Sequence, residues 1–329
     1  MNQNFQDTIQ QVTNADEIIH IEDIQSLWSG YGKIMRYGLK DCDFKSVVVK
    51  HVKLPDQAHH PRGWGTDISH QRKIKSYKVE SAWYHNYAKE CDTSCRIPDC
   101  LGLQSNADEF LMVLEDLDAS GFSLRKNIVT MNEMHVCLSW LANFHATFIG
   151  REPIGLWQVG TYWHLDTRPD ELAVLDDNGL KKAAYKIDET LNNAQYQTFV
   201  HGDAKLANFC FSENATSVAA VDFQYIGGGC GIKDVAYFIG SCLNDADCEQ
   251  YEKELLDNYF SQLRNALMAQ NKSLNPDDIE KEWRELYPLA WTDFHRFLKG
   301  WSPEHWKINS YSERIANKVV AQINDVLDV

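Results

Sequence analysis

The 329-residue sequence has no stretch of about 18 apolar residues, and its polar start over residues 1–11 has no apolar core of the kind a signal peptide needs. It therefore reads as a soluble intracellular protein, cytoplasmic and without a membrane partner. No internal repeat or low-complexity tract is visible, which excludes a solenoid. Positive charge is in deficit, with 32 Lys and Arg against 47 Asp and Glu and a formal net charge of −15. That balance excludes a broad nucleic-acid surface, which needs clustered Lys and Arg to displace counterions from phosphates. Paired C-x-x-C knuckles are missing: Cys91, Cys95 and Cys100 cluster without the spacing of a structural zinc site. The nine cysteines, an odd number scattered through core and loop alike, fit a reducing compartment better than a disulfide scaffold. Nucleotide-binding glycine signatures are also incomplete. Gly32-Lys33 is followed by Ile34, and Leu27 stands where a Walker loop requires glycine, so a P-loop fold is excluded.

What is present suffices for a large core. With 44% hydrophobic residues, the length predicts two domains or one bilobal domain. Residues 27–39 and 44–52 read as strands around the polar turn 40–43, and residues 54–70, with His59 and His60, as a mobile loop. A helix follows over about 68–89, then a strand over 110–114. Beyond residue 118 the pattern turns helical. Thr130 with Glu133 forms a possible capping box ahead of an apolar stripe at Met134, Leu138, Leu141, His145 and Phe148. His145 on that stripe reads as a buried, hydrogen-bonded histidine. Further helices are predicted over 234–243, 248–268, 276–287 and 291–298. The expectation is an α+β fold with a small strand-rich lobe over 1–118 and a larger helical lobe over 119–329.

The chemistry concentrates in one segment. His201-Gly202-Asp203 is followed five residues later by Asn208 and nineteen residues later by Asp222, at the end of an apolar run. Phosphoryl transfer from ATP needs placed charges more than covalent chemistry: one carboxylate beside the attacking hydroxyl, and a second carboxylate with an amide oxygen holding magnesium on the phosphates. Asp203 fits the first role, and Asn208 and Asp222 the second. Lys205 reads as a group that steadies the transferred phosphate, or simply as an exposed lysine. Upstream, Lys50 ends the run Val47-Val48-Val49, and strand alternation puts Val48 and Lys50 on one face. Val48 then lines an adenine pocket while Lys50 reaches the phosphates, fixed by Glu80 on the following helix. Gly30 and Gly32, in the segment Trp28-Ser29-Gly30-Tyr31-Gly32, supply a turn whose backbone N–H groups can face phosphates. The glycine-rich residues 227–231 read as a flexible activation segment, the structural alternative being a lead into the next helix with Asp234 as its N-cap.

These motifs resemble those of the protein-kinase-like small-molecule kinases, a superfamily that includes aminoglycoside phosphotransferases, choline and ethanolamine kinases and ecdysteroid-kinase-like proteins. His201-Gly202-Asp203-Ala204-Lys205-Leu206-Ala207-Asn208 is similar to the catalytic loop, and Val221-Asp222-Phe223-Gln224 to the metal motif. The Asp-Phe-Gln form, Leu114-Glu115-Asp116-Leu117 and Asp234-Val235-Ala236-Tyr237-Phe238 look most like the ecdysteroid-kinase-like branch. The resemblance covers about residues 24–310 and implies a bilobal kinase fold, ATP between the lobes near Glu115 and Leu117, and a hydroxyl acceptor at Asp203. The sequence departs from the pattern in its sparse glycine turn and in Ala204, where a large apolar residue is usual.

The acceptor is expected to be a small hydroxylated metabolite. A cationic one is an open alternative, since Trp291, Phe294, Trp301 and Trp306, with Asp293 and His295 among them, lie on the acceptor side in related kinases. Against it, Trp283, Leu286, Tyr287, Ala290, Trp291, Phe294, Phe297 and Leu298 recur at helical spacing and read as core. Two further readings stand beside the kinase: a non-catalytic nucleotide-binding regulator and a metal phosphohydrolase.

Overall fold

The computed structural model describes residues 3–27, 30–53, 67–106 and 109–327. Alternating Val and Ile residues build the first layer, an antiparallel five-stranded sheet ordered β1-β2-β3-β5-β4. Its strands are β1 (Glu17–Ser26), β2 (Gly32–Lys40), β3 (Ser46–Lys53), β4 (Cys100–Ser105) and β5 (Glu109–Glu115). Along β3 the alternation is decisive. Val47 and Val49 are fully buried beneath Phe5 and Ile9 of helix α1 (Gln3–Thr13), while Val48, Lys50 and Val52 face the other way. Burying a Val in this manner contributes roughly 1.5–3 kcal/mol. That leaves the Lys50 face for helix α2 (Asp67–Asn86).

Beyond the sheet the chain is mostly helical. α3 (Met131–Phe148) begins with the predicted capping box: Glu133 N donates to Thr130 Oγ1 at 3.4 Å, and Thr130 N donates to the Glu133 carboxylate at 2.8 Å. After α4 (Pro169–Ala173) and α5 (Asn178–Asn192) come the short strands β6 (Thr198–Val200), β7 (Phe209–Phe211), β8 (Val218–Ala220) and β9 (Gly227–Gly229). β7 pairs with β8 and β6 with β9, both antiparallel. The helices α6 (Ile232–Cys242), α7 (Asp245–Ala269), α8 (Pro276–Trp301) and α9 (Ser310–Leu327) complete the fold. The architecture is α+β and bilobal. Among the described residues, no helix is long and apolar enough to cross a membrane.

Several expectations change. The helices predicted at 276–287 and 291–298 are one helix, α8, which runs through Pro288. A proline removes one intrahelical hydrogen bond, and the buried Trp283, Tyr287 and Trp291 on either side outweigh that loss. Residues 227–229 are not a loose segment: they form a ladder with the fully buried β6. A Cβ at Gly227 would lie 2.2 Å from the carbonyl oxygen of Trp157, so the glycines permit close backbone approach. Asp234 sits inside the first turn of α6, whose N-cap is Gly231. Trp28 and Ser29 of the glycine turn, and residues 54–66 of the predicted loop with His59 and His60, lie outside the described residues.

Candidate active site

β6 delivers the catalytic-loop motif from the core. His201 is fully buried, its Nε2 donates to the Val221 carbonyl at 3.0 Å, and its Nδ1 accepts from Asp203 N at 3.3 Å. Gly202 has φ +78°, and a Cβ there would stand 2.1 Å from the Tyr225 carbonyl oxygen, so the turn admits only glycine. The loop is held from below by Asp234, itself fully buried. Its carboxylate accepts from His201 N at 2.6 Å and Gly202 N at 3.0 Å. His145 Nε2 lies 3.2 Å away, and a carboxylate only accepts, so that nitrogen carries the proton and Nδ1 takes the Tyr259 hydroxyl at 2.8 Å. His145 is thus a satisfied core histidine, as expected.

Asp203 is 6% exposed and faces three donors. Oδ2 accepts from Lys205 Nζ at 2.7 Å and Asn208 Nδ2 at 3.1 Å, and Oδ1 from the Tyr237 hydroxyl at 3.0 Å. Burial pushes its pKa up against the pull of Lys205, and the nearby Asp222 charge adds to the rise. A buried carboxylate with a raised affinity for protons is suited to accept one. Asn208 also donates to the Asp203 carbonyl at 2.8 Å, so its Nδ2 is fully used and its Oδ1 faces away from that bond.

Asp222 follows β8 with φ +70°, and Phe223 beyond it is fully buried, stacked on Trp83 of α2 at 4.9 Å. Lys50 Nζ pairs with Glu80 Oε2 at 2.6 Å and approaches Asp222 Oδ1 at 3.7 Å, with both Lys50 and Glu80 buried. Against burial, Glu80 and Asp222 hold the Lys50 ammonium above its usual pKa. Against burial again, Lys50, Lys73 and Lys205 hold Asp222 below the carboxylate range. The structure therefore brings Lys50, Glu80, Asp203, Lys205, Asn208 and Asp222 into one cleft between sheet and helices. Asp222 Oδ1 is a buried oxygen without a hydrogen-bond partner among the described residues. A carboxylate oxygen of this sort and an amide oxygen such as that of Asn208 are the kinds of ligand a hard cation takes.

A family model describing the ecdysteroid kinase-like family matches residues 44–151 and 162–272. The chain belongs to the ecdysteroid kinase-like family. No match was found among curated proteins. Solved structures of similar fold include an amicoumacin kinase in complex with AMP-PNP, Ca²⁺ and Ami, 12% identical, with a TM-score of 0.52 over 99% of this chain and 94% of that one. An ethanolamine kinase from Plasmodium vivax is 12% identical, with a TM-score of 0.52 over 97% of this chain and 84% of that one. A choline kinase from Cryptosporidium parvum is 9% identical, with a TM-score of 0.50 over 95% and 90%. At such identities the likeness is one of fold, the bilobal fold of small-molecule kinases.

Other residues of this ecdysteroid kinase-like chain lie differently from expectation. Glu115 is engaged by Arg96 and by the Asp99 backbone N–H at 3.0 Å; against burial, hydrogen bonds from Ser120, Asp99 N and Arg96 hold its carboxyl low. Leu117 packs on Cys210 and Ala219 of the β7–β8 hairpin. Gly30, φ +73°, and Gly32, φ +154°, close the β1–β2 connection, and Gly32 pairs with Val52 two positions from Lys50. Val48 is half-buried on the Lys50 face. Asp293 is spent inside the protein, on Trp163 Nε1 at 2.9 Å and Arg296 at 2.8 Å, so it supplies no carboxylate to an acceptor. Sequence reading missed Lys73, whose Nζ donates to Gln224 Oε1 at 2.8 Å, and the role of Tyr237. Burial pulls Lys73 down to about 8, against the attraction of Asp222.

Proposed function

We propose that the chain is an ATP- and Mg²⁺-dependent kinase that transfers the γ-phosphate to a hydroxyl of a small molecule, with Asp203 as the base. The observation that supports it most is the meeting of the Lys50–Glu80 pair with Asp222, next to an Asp203 carboxylate that Asn208 and Lys205 orient. Asp222 and Asn208 would hold the magnesium, which when bound neutralises charge on the phosphates. Lys50, fixed by Glu80, meets the phosphates, with the turn at Gly30 and Gly32 above and Val48, Glu115 and Leu117 bordering the nucleotide. The acceptor oxygen attacks phosphorus as its proton passes to Asp203, and the bond to ADP breaks. Lys205 steadies the moving phosphoryl group. Residues 1–118 form the nucleotide-binding lobe and 119–329 the catalytic and acceptor-binding lobe. The amicoumacin kinase, a protein of the same fold, was solved with a nucleotide analogue and a divalent cation, which supports nucleotide and metal use here. Nine free cysteines accord with a reducing cytoplasm.

The test is acceptor-dependent ADP release across a panel of amino alcohols, steroids and aminoglycosides, followed by Asp203→Asn on the acceptor found. We expect kcat to fall by about 10²- to 10⁴-fold, with nucleotide binding retained. Undiminished turnover in the variant would remove Asp203 as base.

A further inference from the structure

Tyr237 ties Asp203 to a group the kinase chemistry leaves unused. Its hydroxyl donates to Asp203 Oδ1 at 3.0 Å, and over its ring, 4.7 Å from the centroid, stands the ammonium of Lys307. The same Nζ lies 5.4 Å from the Phe294 ring centre and 5.6 Å from that of Trp306. Three aromatic faces thus converge on one lysine in the segment between α8 and α9. Such a set of faces takes a cation, with Lys, Arg or a quaternary ammonium ligand as equivalent occupants. Here the chain supplies its own.

Lys307 is half-buried, yet among the described residues no carboxylate lies within salt-bridge distance of its Nζ and no acceptor is hydrogen-bonded to it. The other cations of this cleft differ. Lys50 has Glu80, Lys205 has Asp203 and Arg168 has Glu171 at 3.1 Å. An ammonium carries three donors, and at Lys307 no described side chain or carbonyl accepts from them, so they are free for a ligand's oxygens. Burial draws its pKa down to about 8, against the attraction of Asp203, so it remains mostly charged at neutral pH.

We propose that Lys307 is the specificity-determining residue of the acceptor subsite: it fills the aromatic cage, excludes cationic acceptors, and binds an anionic group of an alcohol whose hydroxyl lies at Asp203, one tyrosine ring away. This rests on Asp203 as the site of transfer and deepens that reading by assigning the acceptor a negative charge. On this proposal the choline-like alternative raised by the aromatic residues of this region fails, because the place of the quaternary ammonium is taken.

The test compares two probes with the same two-carbon spacing between hydroxyl and charge, 3-hydroxypropionate and choline, by ligand-observed NMR titration of the full chain loaded with a non-hydrolysable ATP analogue. The native chain is expected to bind 3-hydroxypropionate at least about tenfold more tightly than choline, the scale of one charge-assisted hydrogen bond. Lys307→Met should lose that preference by about 10- to 100-fold and gain choline binding, while Lys307→Arg should retain it. Equal or tighter choline binding by the native chain, no binding of either probe, or an unchanged ratio in Lys307→Met would overturn the proposal; thermal melts of both variants report whether they fold. Binding is read without turnover. Failure of the kinase reading shows instead as no acceptor-dependent ADP release, whatever the probe preference.

Discussion

Asp234→Asn is the sharpest perturbation of the candidate site, because it changes one atom at the point where three donors meet. The aspartate answers His201 N and His145 Nε2 with Oδ2 and Gly202 N with Oδ1. Asparagine has one oxygen. If that oxygen stays at the Oδ2 position, the new amide points its own N–H at Gly202 N–H, and both become buried donors without acceptors. At about 1–3 kcal/mol for each orphaned buried group, the variant loses roughly 2–6 kcal/mol. Flipping the amide leaves two donors stranded and is no better. Thermal or urea denaturation measures the loss directly, and amide hydrogen exchange should show Gly202 N–H losing its protection first. Because Asp203 is the next residue, a loosened Gly202 also misplaces the proposed base, and acceptor-dependent kcat should fall by about 10²-fold, the scale of a misplacement of roughly 1 Å. An Asp234→Asn protein that melts within a degree of the native chain and keeps its Gly202 protection would refute the argument that this carboxylate clamps the loop.

Two further outcomes follow from the buried charges. Lys50→Met leaves Glu80 buried without its partner and should cost about 3–5 kcal/mol in a thermal or denaturant melt, whereas Lys50→Met with Glu80→Leu should recover most of it without restoring ADP release; equal melts for the two variants would rule out a buried ion pair here. His295, 1% exposed, has its pKa pulled by burial from 6.5 to about 4, against the attraction of Glu313. The unfolded chain therefore binds its proton first, so stability is full above about pH 6.5 and falls by up to roughly 3 kcal/mol as pH drops toward 4. His164, also near 4, adds little to that slope, because Asp188, 3.6 Å from it and raised by burial to about 6, gains a proton on folding over much of the same range. Tm measured from pH 7 to 4.5 should slope downward in the native chain and less so in His295→Gln; identical slopes would contradict this assignment.

The part of the site legible in the sequence is the part written locally. Asp203, Asn208 and Asp222 declare themselves by fixed offsets along one loop and hairpin, and Lys50 by strand alternation. Asp234 carries only a helix-cap signal in the sequence, because its partners, His201 and His145, lie 33 and 89 residues away and only the packing of α3, α6 and β6 brings them together. Lys307 carries no local signal, since its meaning comes from rings on α6 and α8. The fold shows the same division. α1 hides a sparse stripe of Phe5 and Ile9 among polar residues, and β1 is exposed along nearly its whole length, so no alternation marks it. The break expected between residues 287 and 291 is overridden by burial on both sides of Pro288, and the glycine run at 227–229 reads as freedom where the chain needs close approach.

α2 touches both halves of the cleft. Glu80 reaches Lys50 on the sheet, Trp83 and Tyr84 pack on Phe223, and Lys73 and Ser76 donate to Gln224. A helix moves as a rod, so these contacts are made or lost together. The lysine cannot be released while the Asp222–Gln224 segment stays seated, nor the reverse. The candidate site is accordingly built as a single latch with one assembled position, and a shift of α2 by the width of one side chain would silence the proposed transfer while leaving the Asp203 loop untouched.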